Sequence, residues 1–309
     1  MSKPLFSIVI PFYFNELNIP YTIPRLEELQ KKLSDYDIEF IFIDDGSQDL
    51  TLNLLLKARE KNNSIKVIKL SKNFGANTAS QVGIRYATGD CVGVLAADLQ
   101  DPPELFVDML QKWKEGYKIV MAIREDREEP WHQKFFSNST YYLMRKIAFP
   151  DYPEKGYDLV LFDKQIANEL RQFSGRNSYL PFLIFSLGHK RFQIPYVRKK
   201  REHGKSRWTF SKKIKSFIDS IVNFSYVPLR LMSLIGFIVA GLSFIYGVIV
   251  IIGYIRGEVP IEGWTSIIVI VTFLLGLIII MLGIIGEYLW RTLDEARQAP
   301  LFIIDEIYE

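Results

Sequence analysis

The sequence predicts an α/β fold with a mostly parallel sheet, joined at its C-terminal side to a two-helix transmembrane hairpin. Three observations carry this. Short apolar runs alternate with helical patterns over the first part of the chain, polar clusters follow the first four runs, and the final third holds two long stretches without a charged residue. Alternating strands and helices build parallel sheets through right-handed crossovers. Runs without a polar face suit strands covered on both sides.

The elements follow in order. FSIVIP (Phe6 to Pro11) is the first strand, with a helix expected after Pro24. IEFIFID (Ile38 to Asp44) is the second, with a helix after Asp49. KVIKL (Lys66 to Leu70), a helix around Ala79 to Ala87, CVGVLAA (Cys91 to Ala97), a helix from Pro103 and KIVMAI (Lys118 to Ile123) complete the pattern. The polar clusters PFYFNE, DDGSQD, SKNFG and ADLQDPPE stand at the carboxyl ends of the first four strands. Ligands bind at that rim in open α/β sheets, so four clusters together define a site.

From Leu231 to Ile255 and from Trp264 to Gly286 no residue is charged. A membrane span needs about 20 apolar residues to cross about 30 Å of hydrocarbon, and both runs meet that length. A pair of buried core helices is the bland alternative. The connection Arg256 to Gly263 is too short for a domain, so the spans form an antiparallel hairpin. Arg198, Lys199, Lys200, Arg201, Lys205, Arg207, Lys212, Lys213 and Lys215 lie upstream, against Arg256 alone in the connection. The positive-inside rule then puts the N-terminal domain and the C-terminal tail in the cytoplasm. The organisation expected is a catalytic domain over 1–208, an amphipathic interfacial segment over 209–230, the hairpin over 231–286 and a tail over 287–309. Trp131 to Phe149, rich in aromatics and cations, is a second candidate for a helix in the headgroup layer.

Bulk properties narrow the class further. Among 309 residues the net charge is +3, which does not favour a general nucleic-acid binder. The single cysteine, Cys91, excludes an internal disulfide and fits a reducing compartment. Its place in an apolar run reads as a buried thiol. No G-x-G-x-x-G turn follows the first strand and no G-x-x-x-x-G-K-[ST] loop occurs, so dinucleotide dehydrogenases and P-loop enzymes are disfavoured.

IDDGSQDLT (Ile43 to Thr51), LSKNFG (Leu70 to Gly75), ADLQDPPEL (Ala97 to Leu105) and GEYLWR (Gly286 to Arg291) resemble family 2 glycosyltransferases. The nearest branch holds dolichol-phosphate mannose synthases and bacterial polyprenyl-phosphate (bactoprenol) glucosyltransferases. The resemblance runs from the first strand to the tail. It implies a GT-A, Rossmann-like domain that moves one hexose from a UDP- or GDP-sugar to a polyprenyl phosphate, with inversion, at the cytoplasmic face of a membrane. Glucose and a UDP donor are the first expectation. A processive polysaccharide synthase and a non-catalytic scaffold are the rival readings.

Site residues follow by resemblance. Pro11, Tyr13 and Glu16 match the family's P-x-Y-N-E, here with one residue more between them, and Asp45 and Lys72 join them as nucleotide-sugar contacts. Asp49 and Ser47 read equally as turn and helix-capping residues. The family's D-x-D with a following Gln becomes Ala96-Ala97-Asp98-Leu99-Gln100, so Ala96 replaces the first carboxylate. Asp98 and Gln100 remain as ligands for Mg²⁺ or Mn²⁺, with Asp101 or diphosphate oxygens as compensation. Asp158 corresponds to the family's catalytic Asp, as base or acceptor-positioning group. Arg201 matches a phosphate-clamping loop. Arg124, Arg127 and Lys134 are the candidates for the acceptor phosphate.

Overall fold

The computed structural model describes residues 3–125, 142, 145–146, 150–173, 179–198, 227–256, 263–297 and 300–309. The chain divides into two compact units, Met1–Ser220 with Pro300–Glu309, and Ile221–Ala299.

The first unit is built on β1 Leu5–Phe12, α1 Ile19–Lys32, β2 Asp37–Asp44, α2 Thr51–Lys61, β3 Ile65–Leu70, α3 Ala76–Tyr86 and β4 Cys91–Val94. It continues with α4 Leu105–Lys114, β5 Ile119–Arg124, β6 Tyr157–Asp163, α5 Lys164–Gln172, α6 Leu180–Ser186 and β7 Arg191–Tyr196. A further strand, β8 Ile304–Tyr308, completes an eight-stranded sheet of order β7-β5-β6-β4-β1-β2-β3-β8. The sheet is mostly parallel but mixed. β4, β1, β2 and β3 run together, and β5 and β7 run together. β6 is antiparallel to both β4 and β5.

The central strands read as continuous apolar runs because both of their faces are covered. Phe6, Ile8, Val9 and Ile10 of β1 and Ile41, Phe42 and Ile43 of β2 have no exposure at all. Phe12 meets Phe42 edge-on at 5.2 Å, and Phe6 meets Phe106 of α4 the same way at 5.1 Å. Each such side chain contributes about 1.5–3 kcal/mol by leaving water. Cys91 is fully buried in this layer, and burial pushes its thiol up, away from reactivity.

Two boundaries differ from the sequence reading. α1 begins at Ile19 and carries Pro24 within it. Proline there removes one N–H from the ladder, and the helix tolerates that loss so near its start. The residues expected as a plain tail include β8, antiparallel to β3, with Lys66–Glu309 at 2.7 Å and Lys69–Asp305 at 2.5 Å across the pair.

The second unit consists of α7 Val227–Ile255 and α8 Trp264–Ala296. Both are long and apolar enough to cross a membrane. Their apolar side chains face outward, Phe237 being 81% exposed and Ile279 69%. A core helix of a water-soluble domain would bury them. α8 continues past Gly286 to Ala296, with Glu287 and Arg291 paired at 2.7 Å one turn apart. The hairpin turn 257–262, residues 209–226 and most of 131–149 lie outside the described residues.

Candidate active site

At the carboxyl ends of β1, β2 and β3 three loops are tied to one another through backbone N–H groups. Phe14 N donates to Ser47 Oγ at 3.0 Å and Asn15 N to Thr51 Oγ1 at 2.8 Å, joining the first loop to the second. Phe14 takes a left-handed φ of 52°, which is where the extra residue of the PFYFNE stretch turns. Glu16 Oε2 accepts from Leu50 N at 3.0 Å, at the start of α2. Asp49 accepts from Thr51 N at 3.1 Å, the turn role read for it in the sequence.

Asp45 is 1% exposed and splits its carboxylate between two donors of the third loop. Phe74 N reaches Oδ1 at 2.7 Å and Gly75 N reaches Oδ2 at 2.9 Å. Asp45 therefore organises the SKNFG loop as well as facing the rim. Burial raises its carboxyl to about 6, against the lowering effect of those two N–H groups. Neighbouring Asp44 is fully buried, and burial raises it too. Gly46, at φ +70°, lets the backbone of Lys72 and Asn73 pass close. A Cβ there would meet the Lys72 carbonyl carbon at 2.6 Å. Lys72 itself is exposed, with its ammonium 5.3 Å from the Phe74 ring centre.

After β4 the chain makes a tight turn in which Gln100 N donates to Asp98 Oδ1 at 3.2 Å. Leu99 between them takes φ 55°, a conformation costing roughly 1–3 kcal/mol and concentrated at functional sites. Both Asp98 and Gln100 are half-buried. Asp101 does not supply the missing ligand, because it is 1% exposed and committed inward, to Tyr196 Oη and, at 3.2 Å, to Arg198 Nε.

That commitment opens a second cluster. Asp158 of β6 forms a two-pronged ion pair with Arg124 of β5, and Tyr196 Oη lies 2.9 Å from its Oδ2. Both side chains are only 10–15% exposed. Burial alone would raise Asp158. The hydrogen bonds and charge of Arg124, with Arg198 beyond, outweigh it and hold the carboxyl below its ordinary value. Asp101 lacks such a fork. Burial and the Asp158 charge push it up to about 6 despite Arg198 and Tyr196.

Of the residues singled out in the sequence, the structure places Pro11 at the end of β1, Tyr13, Glu16, Asp45 and Lys72 on the loops that follow β1, β2 and β3, and Asp98 and Gln100 after β4. It brings Asp158 and Arg124 into direct contact. Arg127, Lys134 and Arg201 lie outside the described residues. Tyr196 and Arg198 were missed as site residues. Nothing local marks them, since Tyr196 ends an ordinary-looking strand and becomes Arg124's neighbour only through the β5–β7 register.

The sheet thus carries carboxylates, a strained turn and basic groups at one rim, where ligands bind in open α/β folds. Residues 7–171 match the family model described as "Glycosyl transferase family 2". The chain is 36% identical over 304 residues to an uncharacterized glycosyltransferase of Bacillus subtilis (strain 168), covering 98% of this chain and 94% of that one. It is 31% identical to the bactoprenol glucosyl transferase of Shigella phage SfV, covering 96% and 97%. Among solved structures it resembles the mannosyl-3-phosphoglycerate synthase of Rubrobacter xylanophilus (TM-score 0.52, 15% identity, 74% of each chain). It also resembles a mannosyltransferase of Pyrobaculum calidifontis in complex with GDP-Man and Mn²⁺ (TM-score 0.50, 15% identity, 72% of this chain and 64% of that one). The chain belongs to glycosyltransferase family 2, and it is an enzyme of sugar transfer.

Proposed function

We propose that this enzyme transfers a single hexose, glucose by first expectation, from a UDP-sugar to a polyprenyl phosphate at the cytoplasmic face of a membrane, with inversion. The observation that carries the reading is similarity along nearly the whole chain, apolar helices included, to a bactoprenol glucosyl transferase. Two outward-facing apolar helices give a water-soluble donor and a lipid acceptor a common meeting plane.

The chemistry asked of the residues is modest. A phosphate monoester has a second pKa near 6, so the acceptor oxygen is already mostly anionic at neutral pH and needs little help from a base. Asp158, kept ionised by Arg124, serves to orient rather than to deprotonate. Arg124, with Arg127 and Lys134 further along the chain, supplies positive charge for the incoming phosphate. Asp45 holds the SKNFG loop and, with Pro11, Tyr13, Glu16 and Lys72, forms the nucleotide grip, which Arg201 closes over the phosphates.

Asp98 and Gln100 offer hard oxygen donors on a fixed turn, which suits Mg²⁺ or Mn²⁺. Among the described residues no group of three or more His, Cys, Asp or Glu side chains converges to cage an ion. The two would therefore hold a metal jointly with the donor diphosphate. Bound there, it would act as a Lewis acid toward the leaving group.

The test is product formation by the full-length chain in detergent, with polyprenyl phosphate and UDP-glucose, UDP-galactose or GDP-mannose, followed by mass spectrometry. A lipid carrying one hexose of inverted anomeric configuration is expected. A polymer, or no turnover with any donor, would overturn the reading.

A further inference from the structure

Tyr196 ends β7, an edge strand whose other five residues are half-buried or exposed, yet it is itself 6% exposed. Its ring sits beside Arg124, its partner in the parallel register, and its hydroxyl faces two carboxylates from separate elements. One is Asp158 Oδ2 of β6, at 2.9 Å. The other is Asp101 Oδ1, on the same loop as Asp98 and Gln100. A phenol has a single proton, so this hydroxyl donates to one carboxylate oxygen at a time while it stays in contact with the other. Around this hydroxyl stand two carboxylates and two guanidiniums, Arg124 and Arg198, with Asp98 near enough to act on Asp101. Remove the oxygen and the two buried carboxylates face each other with no hydrogen between them.

We propose that Tyr196 is a positioning residue whose hydroxyl braces the Asp158–Arg124 pair against Asp101, and so fixes the acceptor-side groups relative to the turn that carries Asp98 and Gln100. The inference rests on the functional reading above. It adds a brace between the two halves of the site, made by a residue that needs no contact with either substrate. Asp101 also lies 3.2 Å from Arg198 Nε, a contact of charge without hydrogen-bond geometry.

Tyr196→Phe in the full-length enzyme tests it, because the ring keeps its volume and only the oxygen is lost. Hydrogen bonds to charged groups in buried networks carry enough energy that kcat should fall about ten- to a hundredfold. The donor KM should stay within about twofold, and the melting temperature should move little. Asp158→Asn alone and with Tyr196→Phe completes a cycle. A brace acting through Asp158 makes the double variant little slower than the worse single variant, whereas independent roles multiply. Wild-type kcat in Tyr196→Phe, multiplicative effects, or a parallel loss of donor affinity and melting temperature would each overturn the proposal. Should Tyr196→Phe not fold, Asp101→Asn takes its place in the same cycle under the same criteria. Wild-type enzyme that makes no lipid-linked sugar in this assay sinks the functional reading itself, and is thereby distinguished from failure of the brace.

Discussion

The two halves of the rim hold their carboxylates by opposite means. On the β1–β3 side, Asp45 is gripped by neutral backbone N–H groups of Phe74 and Gly75, with no cation forked onto it among the described residues, and its carboxyl is raised to about 6. On the β5–β7 side, the Asp158 side chain keeps about 15% exposure, more than Asp45, and Arg124 holds it below the ordinary range. Burial is common to both and the compensating partner differs. One half uses a carboxylate to shape a loop. The other keeps a charge ionised in a place that would otherwise neutralise it.

The strongest way to break this contrast is Arg124→Ala, which strips Asp158 of its forked partner and leaves it Tyr196 and the more distant charge of Arg198. Removing one partner of a buried ion pair costs up to about 3–5 kcal/mol, so a clear drop in thermal stability in detergent and near-complete loss of turnover are expected. Unchanged stability would mean that Asp158 is solvated and the contrast false. A smaller effect should come from the other half with Gly46→Ala. The new Cβ meets the Lys72 backbone and the residue must hold φ +70°, which together should cost about 2 kcal/mol and raise the donor KM more than they lower kcat. The third test reads a slope rather than a single loss. Asp45 binds its proton more tightly folded than unfolded, so its contribution to stability is greatest below about pH 4, declines as pH rises toward about 6, and is flat above. Wild type should therefore gain stability relative to Asp45→Asn as pH is lowered from 7 to 4. A constant difference across that range would show that Asp45 is not raised.

How much of this was legible in the sequence follows from the same division. The β1–β4 strands and their loops could be read because each strand is a largely apolar run followed at once by its polar cluster, so site and element are local. β6 and β7 carry Asp158 and Tyr196 but read poorly. YDLVLFD has charge at both of its ends, and RFQIPY lies half-exposed at an edge. β8 was missed for another reason. IDEIY looks like a charged terminus, and its acids make sense only opposite Lys66 and Lys69 once the antiparallel register is known. Asp101 read as a spare metal ligand because sequence proximity to Asp98 is visible, whereas a tyrosine nearly a hundred positions away is not. Residues whose partners are nearby in the chain were found. Those whose partners arrive through strand order were not.

β8 also sets an order of events during synthesis. The strand follows both apolar helices in the chain, yet it hydrogen-bonds to β3, which is translated long before them. N-terminal segments fold first as a polypeptide emerges. The nascent transferase must therefore wait with one edge of its sheet open until α7 and α8 have left the ribosome. Completion of the first unit thus follows synthesis of both apolar helices, and a chain stalled before Ile304 would leave β3 as an unprotected edge.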